Sequence, residues 1–284
     1  GAGTATLSGT NIYTGATTVN GGTLILGGAG VLGGGSYAGA ITNNSVLVVG
    51  TTTDQVLSGA ISGNGLLVKT NSGVLTLTGA NTYTGATTVN GGTLTLGGAG
   101  VLGGGSYAGA ITNNTALVVG TTAAQTLSGA ISGGGSLTKT NSGVLTLTGA
   151  NTYVGDTIIA GGKLAMNGLH AGGVYRVSNG GLLSGTGTVA SAVTVQAGGG
   201  MGVDEDAPTG TLSVAALTLE DGAAAVCYAQ GTNPTIRVTG ADSFTTAVSN
   251  VVVVLYPSPL PPAATNKLIA WNGTIQGAGT NAFV

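Results

Sequence analysis

Residues Gly73 to Gly98 read GVLTLTGANTYTGATTVNGGTLTLGG, and the reading of this stretch decides the fold. In Val74-Leu75-Thr76-Leu77-Thr78 leucine and threonine alternate, so an extended backbone sends the leucines to one side and the threonines to the other. Thr93-Leu94-Thr95-Leu96 repeats the alternation, and only short Gly- and Asn-rich turns lie between the two. Pairs such as Gly91-Gly92 after Asn90 supply the positive-φ positions that a sharp corner needs.

The same stretch stands earlier as ATLSGTNIYTGATTVNGGTLILGG, from Ala5 to Gly28, and later as VLTLTGANTYVGDTIIAGGKLAMNG, from Val144 to Gly168. Residues 11–80 and 81–150 are identical at 60 of 70 positions without an insertion, so the sequence period is 70. That is too long for one supersecondary unit. Strand starts near Thr93, Thr115 and Ser136 divide it into three turns of a coil, of 22, 21 and 27 residues, the size of a solenoid unit. Such units stack so that each turn buries its apolar side only against its neighbours. The expected core ladder is Leu75, Leu77, Leu94, Leu96, Leu145 and Leu147. Recurrence at a fixed period further predicts that Tyr13, Tyr83 and Tyr153 share one face as shape-setting residues, with stacking between distant turns only indirect.

Composition narrows the function. Lys, Arg, Asp and Glu make up 5% of the 284 residues and the net charge is −2, which argues against a nucleic-acid or anionic-membrane partner held by Lys and Arg. Hydrophobic residues reach 42%, too many for a disordered tail. The 57 glycines lack the every-third-residue pattern of collagen. Apolar runs such as Val251 to Tyr256 are far shorter than the roughly 20 residues that span a bilayer, so no transmembrane segment is expected. Glu is missing before residue 205, and glycine interrupts every few residues, which rules against helix. Beginning at Gly1 with neither an initiator Met nor a signal peptide, the chain reads as a processed or truncated product. Cys227, the single cysteine, reads as a small buried apolar side chain.

Residues 1–168 form the regular array. From residue 169 to 284 the pattern loosens into more varied strands that carry most of the charge, as suits an irregular β-rich continuation that closes or caps a solenoid. The prolines at 257, 259, 261 and 262 place YPSPLPPAATN in a loop or a blunted edge.

The segments KTNSGVLTLTGANTYTGATTVNGGTLTLGG (Lys69 to Gly98) and Lys139 to Gly168, with a clipped copy at 1–28, resemble the autotransporter-associated β-strand repeat, also called the passenger-associated transport repeat. Residues 181–220 resemble the segment that follows such repeats. The resemblance implies an all-β fold, a right-handed parallel β-helix (β-solenoid), in a secreted or surface-displayed bacterial protein. In such proteins the repeat is a stalk or scaffold and carries no site residues. One departure is that no C-terminal membrane barrel of alternating ten-residue strands follows.

Chemistry is sparse. Asp204-Glu205-Asp206 are weak candidates for Ca²⁺, since their spacing fits neither an EF-hand nor the nonapeptide of calcium-binding β-rolls, and an exposed acidic turn is the preferred reading. Glu220-Asp221-Gly222 reads the same way. No cofactor is expected. An enzyme on this scaffold, a polysaccharide lyase or hydrolase, needs paired carboxylates or a base with an Arg, yet residues 1–168 hold only Asp54 and Asp156, and Asp54 is Ala124 in the next copy. His170, the sole histidine, reads as a surface or satisfied turn residue. GAGVLG and GGGSYAG only superficially resemble phosphate loops, because no helix follows. Lys69 and Lys139 read as solubilising edge charges. Asn43, Asn113 and Asn272 begin N-x-Ser/Thr sequons that a bacterial source makes an improbable use. Trp271 reads as the plug of a terminal turn in preference to a sugar-stacking platform.

These readings favour a non-catalytic extracellular structural solenoid, a stalk or fibre subunit. The alternative is an adhesin or glycan-binding module; ice binding through Thr-x-Thr pairs fails at residues 115–135, which have none, and a polysaccharide-cleaving enzyme comes last. The partner expected is the chain itself, stacking head to tail into a filament. Its assembly edges are Gly1, Ala5 and Leu7 at one end and Trp271 and Val284 at the other, within Lys267 to Val284.

Overall fold

The structure, a computed structural model, describes residues 1–202, 210–228, 236–241, 244–246, 252–256, 269–272 and 276–277. Among these there is no α-helix; the only helical turns are the 3₁₀ turns Gly33–Gly35 and Gly103–Gly105. Parallel strands stack turn upon turn as a β-solenoid. The chain divides into two compact units, one of Gly1–Leu145 with Thr152–Gly155, the other of Thr146–Asn151 with Asp156–Val284.

In the first unit one face stacks Thr4–Leu7, Thr23–Gly28, Val46–Thr51, Leu66–Lys69, Thr87–Val89, Ile111–Asn113 and Ile131–Ser132. A second stacks Ser36–Tyr37, Gln55–Leu57, Val74–Leu77, Thr93–Gly98, Ala116–Thr121 and Ser136–Lys139. The pairing keeps like positions above one another. Leu57, Leu77, Leu96, Val119 and Lys139 form one column, and Gln55, Leu75, Leu94, Leu117 and Leu137 the next. The leucines of both columns are buried, as are Leu145 and Leu147, while Thr76 and Thr95 on the opposite side stay half exposed. Full burial of each such leucine is worth roughly 1.5–3 kcal/mol. Solvent-side Thr76 lies beside Thr95, but Val56 and Val118 flank them, so no threonine ladder runs along this face.

The turn lengths differ from the sequence expectation. Leu77 stacks on Leu96, Val49 on Lys69 and Thr87 on Ile111, and the last of these turns is the longest. Leu26 stacks on Val49, Val49 on Lys69 and Lys69 on Val89, so three complete turns carry the chain from position 26 to position 89, an advance of 89 − 26 = 63. The sequence period of 70 therefore overshoots by 70 − 63 = 7 positions, about a third of a turn. Equivalent strands of successive copies land on different faces: Thr4–Leu7 and Thr23–Gly28 belong to the first face, their counterparts Val74–Leu77 and Thr93–Gly98 to the second. The same applies to the tyrosines. Tyr13 hydrogen-bonds Thr17 of one sheet and Tyr83 its counterpart Thr87 of another, so they do not share a face. Their stacking is direct and between adjacent turns: Tyr13 meets Tyr37, and Tyr83 meets Tyr107, edge to face at 5.5 Å.

Glycine is required where turns touch. Gly103, Gly104 and Gly105 are all left-handed, with φ of 57°, 64° and 99°, which explains the triplet in GGAGVLGGGSY. Gly100 lies so close to the turn below that a Cβ there would stand 2.1 Å from the Leu77 carbonyl oxygen.

In the second unit Thr157–Ile159, Tyr175–Val177, Thr188–Val195, Leu212–Leu219 and Ile236–Ala241 stack in order, and Gly162–Met166, Gly181–Ser184, Gly200–Gly202, Ala224–Tyr228 and Val252–Tyr256 form another sheet. Its turns are less uniform. The turn from Val195 to Leu219 is longer than those from Ile159 to Val177 and from Val177 to Val195, and the register shifts between Val189 and Ala192.

Candidate functional site

Several polar side chains of the first unit are turned into the coil, and most of these hydrogen-bond backbone. Period-2 counting from inward Leu67 puts Val68 outside and Lys69 inside, and Lys69 indeed occupies the core column between Val49 and Val89, fully buried. Its Nζ donates to the carbonyl oxygens of Thr70, of Asn71 at 2.9 Å and of Gly91 at 3.2 Å. Lys139 repeats this with Thr140 and Asn141. Neither lysine is an edge charge. Each ammonium fastens a corner made by a left-handed asparagine, Asn71 (φ 57°) or Asn141 (φ 56°), whose own amide donates to the turn below at Gly50 or Gly120. Burial pushes both ammonium groups below the usual lysine range, Asp54 opposing this at Lys69.

Amide side chains replace backbone where the corners bulge. Gln55 accepts from the Leu32 N–H at 2.7 Å and donates to the Leu32 carbonyl at 3.2 Å, and Gln125 does the same for Leu102 at 2.6 and 3.2 Å. Asn81 links three turns: its Oδ1 accepts from the Ile61 N–H at 2.9 Å, and its Nδ2 donates to Gly79 and Val101. Buried Asn43 and Asn113 donate to Leu66 and Ser136, so neither sequon presents a free amide for glycosylation.

The phenols form buried chains. Tyr83, Thr87 and Tyr107 are joined at 2.7 and 2.8 Å, and Tyr107 donates onward to the Gly85 carbonyl. Burial drives the Tyr83 phenol well above its ordinary value, with Tyr107 adding to the shift, and burial also raises Tyr107 and Tyr37. These shifts predict the alkaline behaviour. Above the ordinary tyrosine value of 10.0 the unfolded chain loses phenolic protons that the folded chain keeps, so stability falls as pH rises. The lysines act oppositely, adding stability only up to their ordinary value of 10.5. Urea midpoints should therefore hold up to about pH 10 and drop beyond about pH 10.5. A midpoint unchanged at pH 11.5 would contradict the buried phenols.

The remaining sequence candidates separate. His170 is buried with its ring edge-on to Tyr175 at 5.4 Å, a core residue and not a surface one. Asp54 accepts from the Val74 N–H at 2.8 Å, and Asp156 faces Arg176 at 3.9 Å on the surface. Asp204, Glu205, Asp206, Lys267 and Val284 lie outside the described residues, as do the side chains of Cys227 and Trp271. No described helix is long and apolar enough to cross a membrane.

Residues of the first described turn are more exposed than their later counterparts. Thr4–Leu7 pairs with Thr23–Leu26 on one side. Gly1 and Ala5 are exposed and Leu7 is half-buried. Ile12 is 81% and Tyr13 39% exposed, whereas Tyr83, the counterpart of Tyr13, is 0%. A cavity of about 520 Å³ opens here, lined among others by Ala5, Leu7, Tyr13 and Val19.

The sequence profile of the passenger-associated-transport-repeat family matches residues 1–26, 67–96 and 137–166. Three stretches of the chain are thus similar to that repeat. Each matched repeat contains the Thr-Leu strand and the Asn-Thr-Tyr turn, or their first-copy counterparts at 6–13, and the second and third begin just before the buried lysines 69 and 139. The repeat and the solenoid together fit an autotransporter passenger domain. No curated protein matches the chain.

Proposed function

We propose that this chain is a non-catalytic scaffold segment of a bacterial surface or secreted passenger, a stalk whose role is rigidity and resistance to attack. The observation that carries the reading is where the polar groups point. Lys69, Lys139, Gln55, Gln125 and Asn81 all face inward and bond neighbouring backbone, an arrangement that stiffens a coil and leaves little with which to bind or transform a substrate. The adhesin alternative needs exposed aromatic platforms, and Tyr37, Tyr83, Tyr107, Tyr153 and Tyr175 are buried.

Proteolysis tests the stalk. Trypsin under native conditions should leave the bonds after Lys69 and Lys139 uncut for hours, because cleavage there needs a cooperative opening of stacked turns. Amine-reactive labelling should likewise pass over these two lysines while modifying half-exposed Lys163. Prompt cutting at Lys69 would sink the reading, and a specific oligosaccharide bound by the intact chain would favour the adhesin.

A further inference from the structure

Five Asn-Gly pairs lie wholly within the described residues, beginning at Asn20, Asn64, Asn90, Asn167 and Asn179. An Asn-Gly pair carries its own reagents, since the glycine nitrogen closes a five-membered ring on the asparagine Cγ when its N–H is not held elsewhere. The fold holds three of these nitrogens. Gly65 donates to the Asn43 carbonyl at 2.8 Å, Gly168 to the Leu147 carbonyl at 2.9 Å and Gly180 to the Gly198 carbonyl at 3.0 Å. Each of the three reacts only after its turn opens.

Gly91 is different, because its N–H hydrogen-bonds no acceptor among the described residues. The Asn90 N–H donates to the Lys69 carbonyl at 2.8 Å and Lys69 Nζ donates to the Gly91 carbonyl at 3.2 Å, so the groups on either side are fixed while the nitrogen between them is free. Glycine is also required there, since a Cβ at 91 would stand 2.7 Å from the Asn71 nitrogen. The electrophile is prepared too. Asn90 is exposed at the corner, and its Oδ1 accepts from Asn114 Nδ2 at 2.8 Å. A donor on this oxygen stabilises the negative charge that appears on it when Cγ is attacked. The first copy repeats the side-chain pair, with Asn44 Nδ2 donating to Asn20 Oδ1 at 3.1 Å, whereas in the third copy Ala160 removes the electrophile.

We infer that Asn90-Gly91 is a self-modifying site at which Asn90 is converted to aspartate and isoaspartate, with the Asn114 amide as the donor to its reacting oxygen. The Gly91 nitrogen gives its proton to hydroxide and forms a bond to Asn90 Cγ. The Cγ–Nδ2 bond then breaks, and the leaving nitrogen takes a proton from water and departs as ammonia. Water opens the resulting succinimide: attack at Cγ gives aspartate, and attack at the Asn90 backbone carbonyl carbon gives isoaspartate. The overall change consumes water, releases ammonia and involves no oxidation. Either product places a carboxylate beside the corner that Lys69 fastens, in a chain whose formal charge is only −2. Isoaspartate also lengthens the main chain by one carbon between two groups that Lys69 holds. This chemistry is independent of the scaffold reading.

The test incubates the intact folded chain in mildly alkaline buffer and follows each Asn-Gly pair by peptide mapping, with the amide-to-acid mass shift read by mass spectrometry and isoaspartate by an isoaspartyl methyltransferase. Asn90 should convert about tenfold faster or more than Asn64, Asn167 and Asn179, because those three wait for local opening. In urea, with the chain unfolded, all four should convert at comparable rates. Asn114→Ala, a change at an exposed side chain, should slow Asn90 by roughly threefold to tenfold, less than the loss of a donor in a water-excluded oxyanion hole, and leave Asn64 unchanged. Conversion at Asn90 no faster than at Asn64 in the folded chain overturns the proposal, as does an Asn114→Ala rate at Asn90 equal to the parent's or above it. An excess at Asn90 that persists undiminished in urea overturns it as well, since flanking sequence and not the fold would then set the rate.

Discussion

Leu77→Ala is expected to destabilise the first unit by about 2–5 kcal/mol. Leu77 is fully buried in register between Leu57 and Leu96, so truncation opens a cavity whose walls are set by the turns above and below. Those turns are tied by backbone ladders and cannot collapse inward, which places the loss toward the upper end of the range. Thr76→Ala, one residue away on the solvent side, should change stability by about 0.5 kcal/mol or less. Urea unfolding followed by circular dichroism measures both. Equal losses in the two variants would mean that the inward and outward faces are reversed.

The second large effect is expected at Lys69. Lys69→Met keeps most of the aliphatic stem but removes the ammonium from the carbonyl oxygens of Thr70, Asn71 and Gly91. Each buried acceptor left without a donor costs about 1–3 kcal/mol, and water reaching the corner offsets part of it, so a net loss of about 2–4 kcal/mol is expected. Lys69→Arg should not restore stability. Gly92 already lies so near that a Cβ there would be 2.9 Å from Nζ, leaving no room for a planar guanidinium. A Lys69→Met loss no larger than that of an ordinary surface substitution, about 0.5 kcal/mol, would make the lysine a passenger in its column and not the fastening of the corner. Lys139→Met offers an independent repeat of the measurement in the next copy.

Much of this architecture was legible in the chain. Alternating leucine and threonine over Val74–Leu77 and Thr93–Gly98 specified strands, and the near-identical copies specified that these strands stack on their own kind. The glycine triplet at 103–105 marked a corner because no other residue adopts three successive left-handed conformations cheaply. The burial of Lys69 and Lys139 was also written there, in the alternation Leu67-Val68-Lys69 and Leu137-Thr138-Lys139. It was overridden by the expectation that a charge seeks water, an expectation that fails when backbone carbonyls at a corner converge on the ammonium.

What the sequence could not settle was phase. Periodicity counts positions along the chain, whereas a face is defined by how much chain each corner consumes, and the corners differ: the turn from Leu77 to Leu96 is shorter than the turn from Thr87 to Ile111. The sequence by itself determined that this protein is a coil of parallel strands with a leucine-rich interior, because alternation and recurrence are local properties. Only the tertiary structure decided that three turns close between Leu26 and Val89, short of the sequence period, so that equivalent residues of successive copies move about a third of a turn onto a new face. It likewise decided that Tyr83 is sealed, because the turn bearing Leu57 and Ile61 lies against it.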